Sequence, residues 1–462
     1  MWQQEFTWFF TIFHQELRKN DPIAFEVLMV LALAHLFGFY NPKQLSDFLD
    51  IPHQSFYTEL KGWSVYHVKK MLRLFMVKQA AEKLQPVMNK SGSTRSRAGV
   101  TLSIDNSVMD RFGKLLRCTY NWLSGRHHQV IRGQDLLGIV FTMNQMALPL
   151  HLLFCPKQGR HHTNKADLLI FMFTQLKADF HREGIDITQF PLTLDSGFVS
   201  EELKKRLHQL GFTQIIIAGK GNYVFTLDGQ KQQASAWKKD LTLQEPKWGI
   251  DVPSCRIWGH SPTFGPLILF FFQKSTTRSY YLMNLSQSSM RGAEMWHIGK
   301  QHHVIECFWK IMKSIFHIRS MQLQGDGLYT ALLIKVFAYL LALRLQAQGA
   351  FSVIPVKRDN RRSIVYSEEL TSSTISVTLQ STDRHHGIVG QECCHYQLDS
   401  CIRQTEHPEP GGSNRAFQKQ RTSTPSGNGS PRSLPGVVVL GNASRPCLAD
   451  PFGRGHLVCV WP

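Results

Sequence analysis

Gly99-Val100-Thr101-Leu102-Ser103-Ile104-Asp105-Asn106 is the stretch on which the reading of this chain turns. Val100, Leu102 and Ile104 alternate with Thr101 and Ser103, the period of a strand with a buried face. The apolar pattern stops at Asp105. A carboxylate at the end of a core strand is costly to bury unless a cation sits against it. Two readings are open: a turn or capping aspartate, or a metal ligand carried on a rigid element.

The arrangement recurs in Phe190-Pro191-Leu192-Thr193-Leu194-Asp195-Ser196-Gly197. A short apolar strand again ends on a carboxylate. A helix follows over about residues 200–210 and Gly211 closes it. Gln214-Ile215-Ile216-Ile217-Ala218 then predicts a buried strand. Strand, helix and strand with a short return make a parallel crossover, whose ligand edge lies at the strand C-termini. Asp195 is expected on that edge. Lys220, in Gly219-Lys220-Gly221-Asn222, reads either as a phosphate contact or as a turn lysine. The glycine spacing is not that of a P-loop.

Between the two aspartates, residues 133–142 and 147–154 predict a hairpin beside the first strand, and residues 164–181 a helix. Upstream, residues 1–98 read as helical. Residues 43–60 have the look of a helix-turn-helix, with its turn at Asp50-Ile51-Pro52 and basic residues after it. A DNA-binding module and an ordinary bundle with solvated lysines both fit. Residues 90–97 are polar, basic and rich in Gly and Ser, as in a linker.

Downstream, residues 223–289 are strand-like and irregular, with Trp237, Trp248 and Trp258 among lysines. They suit either nucleic-acid contact or a β insertion with tryptophans in its core. The helix expected over residues 295–315 buries Ile305, Phe308, Ile311, Met312 and Ile315. Glu306 and Lys313 lie two turns apart and share a side. Glu306 reads as a solvated helix residue or as a third ligand. Beyond Asp359 no periodic segment persists, and a low-complexity, disordered tail is expected. Cys393, Cys394, His395 and Cys401 lack the paired spacing of a zinc site.

The net charge of +18 favours a polyanionic partner, nucleic acid before anionic membrane. The apolar runs at residues 23–40 and 329–345 are interrupted by Glu26 and His35, and by Lys335 and Arg344, so buried helices are expected rather than membrane spans. Met1-Trp2-Gln3-Gln4-Glu5 lacks the basic start of a secretory signal. Cys118, Cys155, Cys255 and Cys307 are scattered singly, as reduced thiols of a cytosolic protein are.

Three carboxylates in the order Asp105, Asp195, Glu306, meeting at the edge of a mixed sheet, would suit two Mg²⁺ or Mn²⁺ ions. Such a pair activates a water or a 3′-hydroxyl for in-line attack on a phosphodiester. On Ser103-Ile104-Asp105-Asn106-Ser107-Val108, Leu194-Asp195-Ser196-Gly197-Phe198 and the stretch Val304-Ile305-Glu306-Cys307-Phe308-Trp309-Lys310-Ile311-Met312-Lys313, the chain resembles a DDE transposase of bacterial insertion sequences, over about residues 40–345. The last stretch fits the E-x₆-K half of a Y-x₂-R-x₃-E-x₆-K signature. Gly299 stands at the signature's Tyr and His302 at its Arg.

The resemblance implies an α/β, ribonuclease H-like mixed sheet flanked by helices at residues 99–358, with a β-rich insertion at about 223–289. An all-helical DNA-binding domain at 1–98 would precede it and the tail at 359–462 follow. Asp105, Asp195 and Glu306 would bind the two metal ions. Lys313 would contact DNA near the element's end, with Lys310, Lys220 and a protonated His302 as further DNA contacts. The implied activity is cleavage and strand transfer at terminal inverted repeats, by a homodimer on paired ends, in the bacterial cytoplasm. A catalytically inactive DNA-binding derivative, or a ribonuclease H-like nuclease unrelated to transposition, remains the alternative.

Overall fold

The computed structural model describes most of residues 2–366, apart from short segments such as 17–22, 90–98, 111–115, 157–163, 245–251 and 274–278; beyond these it describes only 378–380 and 456–458. The expectations for the linker, for Lys220 and for the cysteine-bearing tail therefore lie outside the described residues. The chain divides into two compact units, residues 1–367 and 368–462. The second holds a two-stranded antiparallel pair, 378–380 with 456–458.

The first unit is organised by β1 (Val100–Met109), β2 (Tyr120–Ser124), β3 (Gln129–Met143), β4 (Met146–Phe154), β5 (Leu192–Asp195) and β6 (Ile215–Gly219). β4, β3, β1, β5 and β6 lie side by side in that order. The β4–β3 and β3–β1 pairs are antiparallel, whereas β1–β5 and β5–β6 are parallel. The parallel pairs require crossovers, and helices α6 (Lys165–Arg182) and α7 (Glu201–Gln209) supply them. This is the ribonuclease H-like arrangement. The C-termini of β1, β4 and β5 share one edge.

Local chemistry fixes the crossover ends. The Asn164 side chain accepts from the Asp167 backbone amide, and Asp167 accepts in return from that of Asn164, a reciprocal cap on α6. Ser200 caps α7 through Leu203 N. Gly211, at φ +101°, ends it in a conformation that a side chain would strain.

Strands β7 (Val224–Leu227), β8 (Gln230–Gln233), β9 (Ser254–Ser261), β10 (Gly265–Gln273) and β11 (Ser279–Asn284) follow, with helix α8 (Ala234–Asp240) between β8 and β9. They do not form a separate sheet. β11 pairs antiparallel with β6, and the order runs on as β10, β9, β7, β8. The reason is the unbroken apolar run of β10, which serves two faces. Leu267, Leu269 and Phe271 join the core of Leu102, Ile104, Leu192 and Leu194. Ile268, Phe270 and Phe272 form a second cluster with Met295, Trp296 and Ile298 of α9 (Gly292–Ser314) on the other face. Trp237 belongs to the core, whereas Trp258 is exposed.

Helix α9 crosses the sheet over Gly138 of β3. A Cβ there would lie 2.7 Å from Trp309 Cζ2, so the glycine makes room for the indole. Gly138→Ala is expected to push Trp309, and with it the turn carrying Glu306, off the sheet. Overpacking of this kind costs about 1–3 kcal/mol. The melting temperature should fall by several degrees; an unchanged value would show that α9 is not seated by this contact.

Residues 2–89 form α1 (Trp2–Glu16), α2 (Phe25–Leu36), α3 (Pro42–Leu49), α4 (His53–Gly62) and α5 (Val65–Asn89). Asp50, at φ 53°, turns the chain between α3 and α4. Arg73 on α5 faces inward, with Nε 2.5 Å from Asp179 Oδ2 on α6. Lys69 Nζ lies 4.0 Å from the centre of the Tyr329 ring. These two cations serve packing. Phe9 and Phe75 meet Phe337 of α10 (Gly327–Ala347).

Among the described residues α10 is the one helix long and apolar enough to cross a membrane, but 89% of its apolar stretch is buried in the protein. Its charges are satisfied internally. Lys335 donates to Phe316 O at 2.9 Å and faces His35 Nε2 at 3.2 Å. Arg344 bonds Glu5 and reaches Glu82 at 2.7 Å, with its guanidinium 3.9 Å from the Trp8 ring centre.

Two buried imidazoles make the fold acid-labile. His35 is held at about 3, first by burial and then by the charge of Lys335, with His317 adding to it. Burial holds His151 at about 4, with Gln175 hydrogen-bonded to its ring and Arg73, Lys69 and Asp179 nearby. Both are neutral in the folded chain and protonate at about 6.5 once unfolded. Their stabilisation is complete above pH 6.5 and is lost as pH falls from there toward 4 and then 3, on the order of 3–5 kcal/mol each. The melting temperature should drop steeply over that window, and less steeply in His151→Gln. A flat profile would contradict the burial of these rings.

Candidate metal and DNA site

Alternation along β1 sends Leu102 and Ile104 to the core and Thr101, Ser103 and Asp105 to the face that α9 covers. β5 does the same, with Thr193 and Asp195 on that face. Each strand thus carries a hydroxyl residue two positions before its aspartate. Thr193 Oγ1 lies 3.0 Å from Ser103 Oγ, and Ser103 Oγ lies 3.4 Å from Thr142 Oγ1 on β3. His302 Nδ1 of α9 lies 3.0 Å from Thr193 Oγ1. A polar layer therefore ties β3, β1, β5 and α9 together. Asp105 and Asp195 lie two residues beyond it, one step along each strand, and Glu306 lies four residues beyond it, one turn along the helix.

The charges of the other two carboxylates are felt at Asp105. Asp105 is pushed up to about 7, foremost by burial; the Asn106 backbone amide opposes this, the charges of Asp195 and Glu306 raise it further, and Lys313 lowers it. The amide donates to Asp105 Oδ1 at 2.8 Å. His302 is held below its ordinary value by burial, against the pull of Asp195 and Glu306. Asp195 from β5 and Glu306 and Lys313 from α9 thus all act on Asp105 of β1.

Sequence expectations fare differently from residue to residue. Asp195, Glu306 and Lys313 are brought within electrostatic reach of Asp105. Lys310 is exposed on α9, three residues from Lys313. His302 is only 9% exposed and is bonded inward to Thr193, so its ring supports the sheet instead of facing solvent. Gly299, one turn earlier, is also buried. Sequence reasoning missed the polar layer. Its signal was there, as Ser-Ile-Asp and Thr-Leu-Asp repeat the same spacing and His302 precedes Glu306 by one turn.

The donor set suits a hard divalent cation, being all carboxylate and partly desolvated. The raised Asp105 carboxyl is the sign of negative charge gathered where a cation would relieve it. Among the described residues no three His, Cys, Asp or Glu side chains are close enough together to cage a metal as they stand. Glu306 Oε2 is instead paired with His303 Nδ1 at 2.9 Å, and both side chains are more than half exposed. An exposed pair of this kind is worth at most about 1 kcal/mol, so it holds Glu306 only weakly.

A ribonuclease H-like sheet with Asp195 ending β5 and Asp105 on the neighbouring β1 defines the class of fold; against expectation Asp105 does not end its strand, because β1 stays paired with β3 as far as Met109. Residues 172–341 match the family model described as a transposase DDE domain. The match takes in Asp195, Glu306 and Lys313; Asp105 lies upstream of it. Among solved structures, the chain is similar to one described as a cryo-EM structure of piggyBac transposase synaptic complex with hairpin DNA. The identity is 13%, the TM-score 0.40, and the match covers 74% of this chain and 72% of that one. No curated protein matches the chain.

Proposed function

We propose that this chain is a transposase that cuts and rejoins DNA at the ends of its own element, with Asp105, Asp195 and Glu306 holding two Mg²⁺ or Mn²⁺ ions. The observation that supports the reading is that the charges of Asp195 on β5 and of Glu306 and Lys313 on α9 all act on Asp105 of β1. When bound, the ions would activate the attacking oxygen and stabilise the leaving one. The polar layer of Ser103, Thr193 and His302 keeps the carboxylate-bearing elements in register. With a metal bound, Glu306 would give up its weak contact with His303. Lys313 and Lys310 on α9 face the phosphates of the DNA end, and the module of α3 and α4 contributes DNA affinity. The chain works as a homodimer that pairs two ends.

The test is Mg²⁺-dependent nicking of a plasmid bearing the DNA that flanks the gene. Asp105→Ala, Asp195→Ala and Glu306→Ala should each lower the rate by at least about a thousandfold, on the scale of losing a catalytic metal. Retained nicking in all three would overturn the assignment. The burial of Gly299 and His302 favours a second reading, in which end contacts are lost and the chain only binds DNA. Salt-sensitive DNA binding by the wild type, without cleavage in Mg²⁺ or Mn²⁺, would select it.

A further inference from the structure

Asn106, Asp135 and Lys165 form a bonded group outside the polar layer. Asp135, on β3 opposite Val108, has a side chain with no exposure to solvent. Asn106 Nδ2 donates to Asp135 Oδ1 at 2.6 Å. Lys165 Nζ lies 2.6 Å from Asp135 Oδ2, at the first residue of α6, and is partly exposed. The same ammonium sits 5.3 Å from the Trp122 ring centre and 5.6 Å from that of Phe198. Phe198 in turn donates its backbone N–H to Asp195 O at 3.1 Å.

This group touches both aspartate-bearing segments. Asn106 supplies the backbone N–H that Asp105 Oδ1 accepts, and its side chain is held by Asp135. Phe198 closes the turn that follows Asp195 and packs beneath Lys165. A buried carboxylate needs its cation, so Lys165 cannot be removed without loosening Asp135 and hence Asn106. Alternation along β1 puts the Asn106 side chain on the face opposite Asp105. The support therefore comes from the side of the sheet away from α9.

We infer that Lys165, acting through Asp135 and Asn106 and over Phe198, is a positioning residue that orients Asp105 and Asp195 for the divalent cations. The inference rests on the metal-binding reading proposed above. Partners that orient metal ligands without touching the metal commonly account for 10–100-fold in metal affinity.

The experiment is a Mn²⁺ titration of the full chain, read as the rise in melting temperature, alongside the melting temperature in chelator. Wild type, Asp105→Ala, Lys165→Met, Lys165→Arg and Asn106→Ala are compared. Lys165→Met should raise the half-maximal Mn²⁺ concentration about tenfold. Lys165→Arg, which keeps the cation, should stay within about threefold of wild type. Asn106→Ala should move the midpoint in the same direction as Lys165→Met, and decides the matter should that variant fail to fold. An unchanged Mn²⁺ midpoint in both, whatever happens to the chelator baseline, overturns the positioning role. A wild-type Mn²⁺ response that survives Asp105→Ala overturns the metal reading itself and the inference with it.

Discussion

Asp105→Asn is expected to raise the melting temperature of the metal-free protein while abolishing DNA nicking. The wild-type carboxyl is half-buried and feels the charges of Asp195 and Glu306, with Lys313 as the opposing cation. Asparagine keeps the shape and can still accept the Asn106 backbone bond that Asp105 Oδ1 receives at 2.8 Å. It removes the charge that the fold must desolvate. A carboxyl pushed up to about 7 is a group whose ionised form the fold disfavours. Allowing for relaxation and water, the gain at neutral pH should be about 2 kcal/mol in chelator. Saturating Mn²⁺ should reverse the order of the two proteins, because only the wild type gains from the ion. A lower melting temperature for Asp105→Asn in chelator would mean that Asp105 is an ordinary capping aspartate.

Arg344→Ala is expected to be the most damaging single change away from the site. Arg344 is 8% exposed and Glu5 is 4% exposed, and Arg344 is the cation that Glu5 and Glu82 share. Truncation leaves a buried carboxylate without its counter-charge and uncovers the Trp8 ring. Breaking a buried pair in this way costs about 3–5 kcal/mol. Since the pair joins α1 and α5 to α10, the helical layer should loosen first, seen as lost amide protection in α1. The double variant Glu5→Met with Arg344→Met removes both charges and should recover much of the loss. A single truncation that costs less than about 1 kcal/mol would show that the pair is solvated.

The sequence carried a good deal of this architecture, for reasons that individual residues make plain. Val100, Leu102 and Ile104 alternate because one face of β1 is core, and the same rule placed Asp195 on the edge. Asp50-Ile51-Pro52 marks the turn between α3 and α4 because proline fits the start of a helix and Asp50 takes a positive φ. Lys335 and Arg344 argued that an apolar helix was internal, and the structure supplies a carbonyl oxygen for one and carboxylates for the other.

What escaped the sequence was long-range. Whether strands at 223–289 form their own sheet depends on β11 finding β6, a pairing that no local pattern encodes. His302 looked like a phosphate contact because its partner, Thr193, lies 109 residues away. Asp135 and Lys165 gave no signal, since an aspartate within a strand and a lysine at a helix start are individually ordinary. That the charge of Glu306 is felt at Asp105 follows from α9 lying across β1. That packing depends on Gly138 admitting Trp309.

The most direct measurement is the uptake of Mn²⁺ by the full chain, counted by electron paramagnetic resonance in the wild type and in Asp105→Ala, Asp195→Ala and Glu306→Ala. Convergence of the three carboxylates predicts tight uptake by the wild type and its loss in each variant. Equal uptake by all four proteins would contradict it.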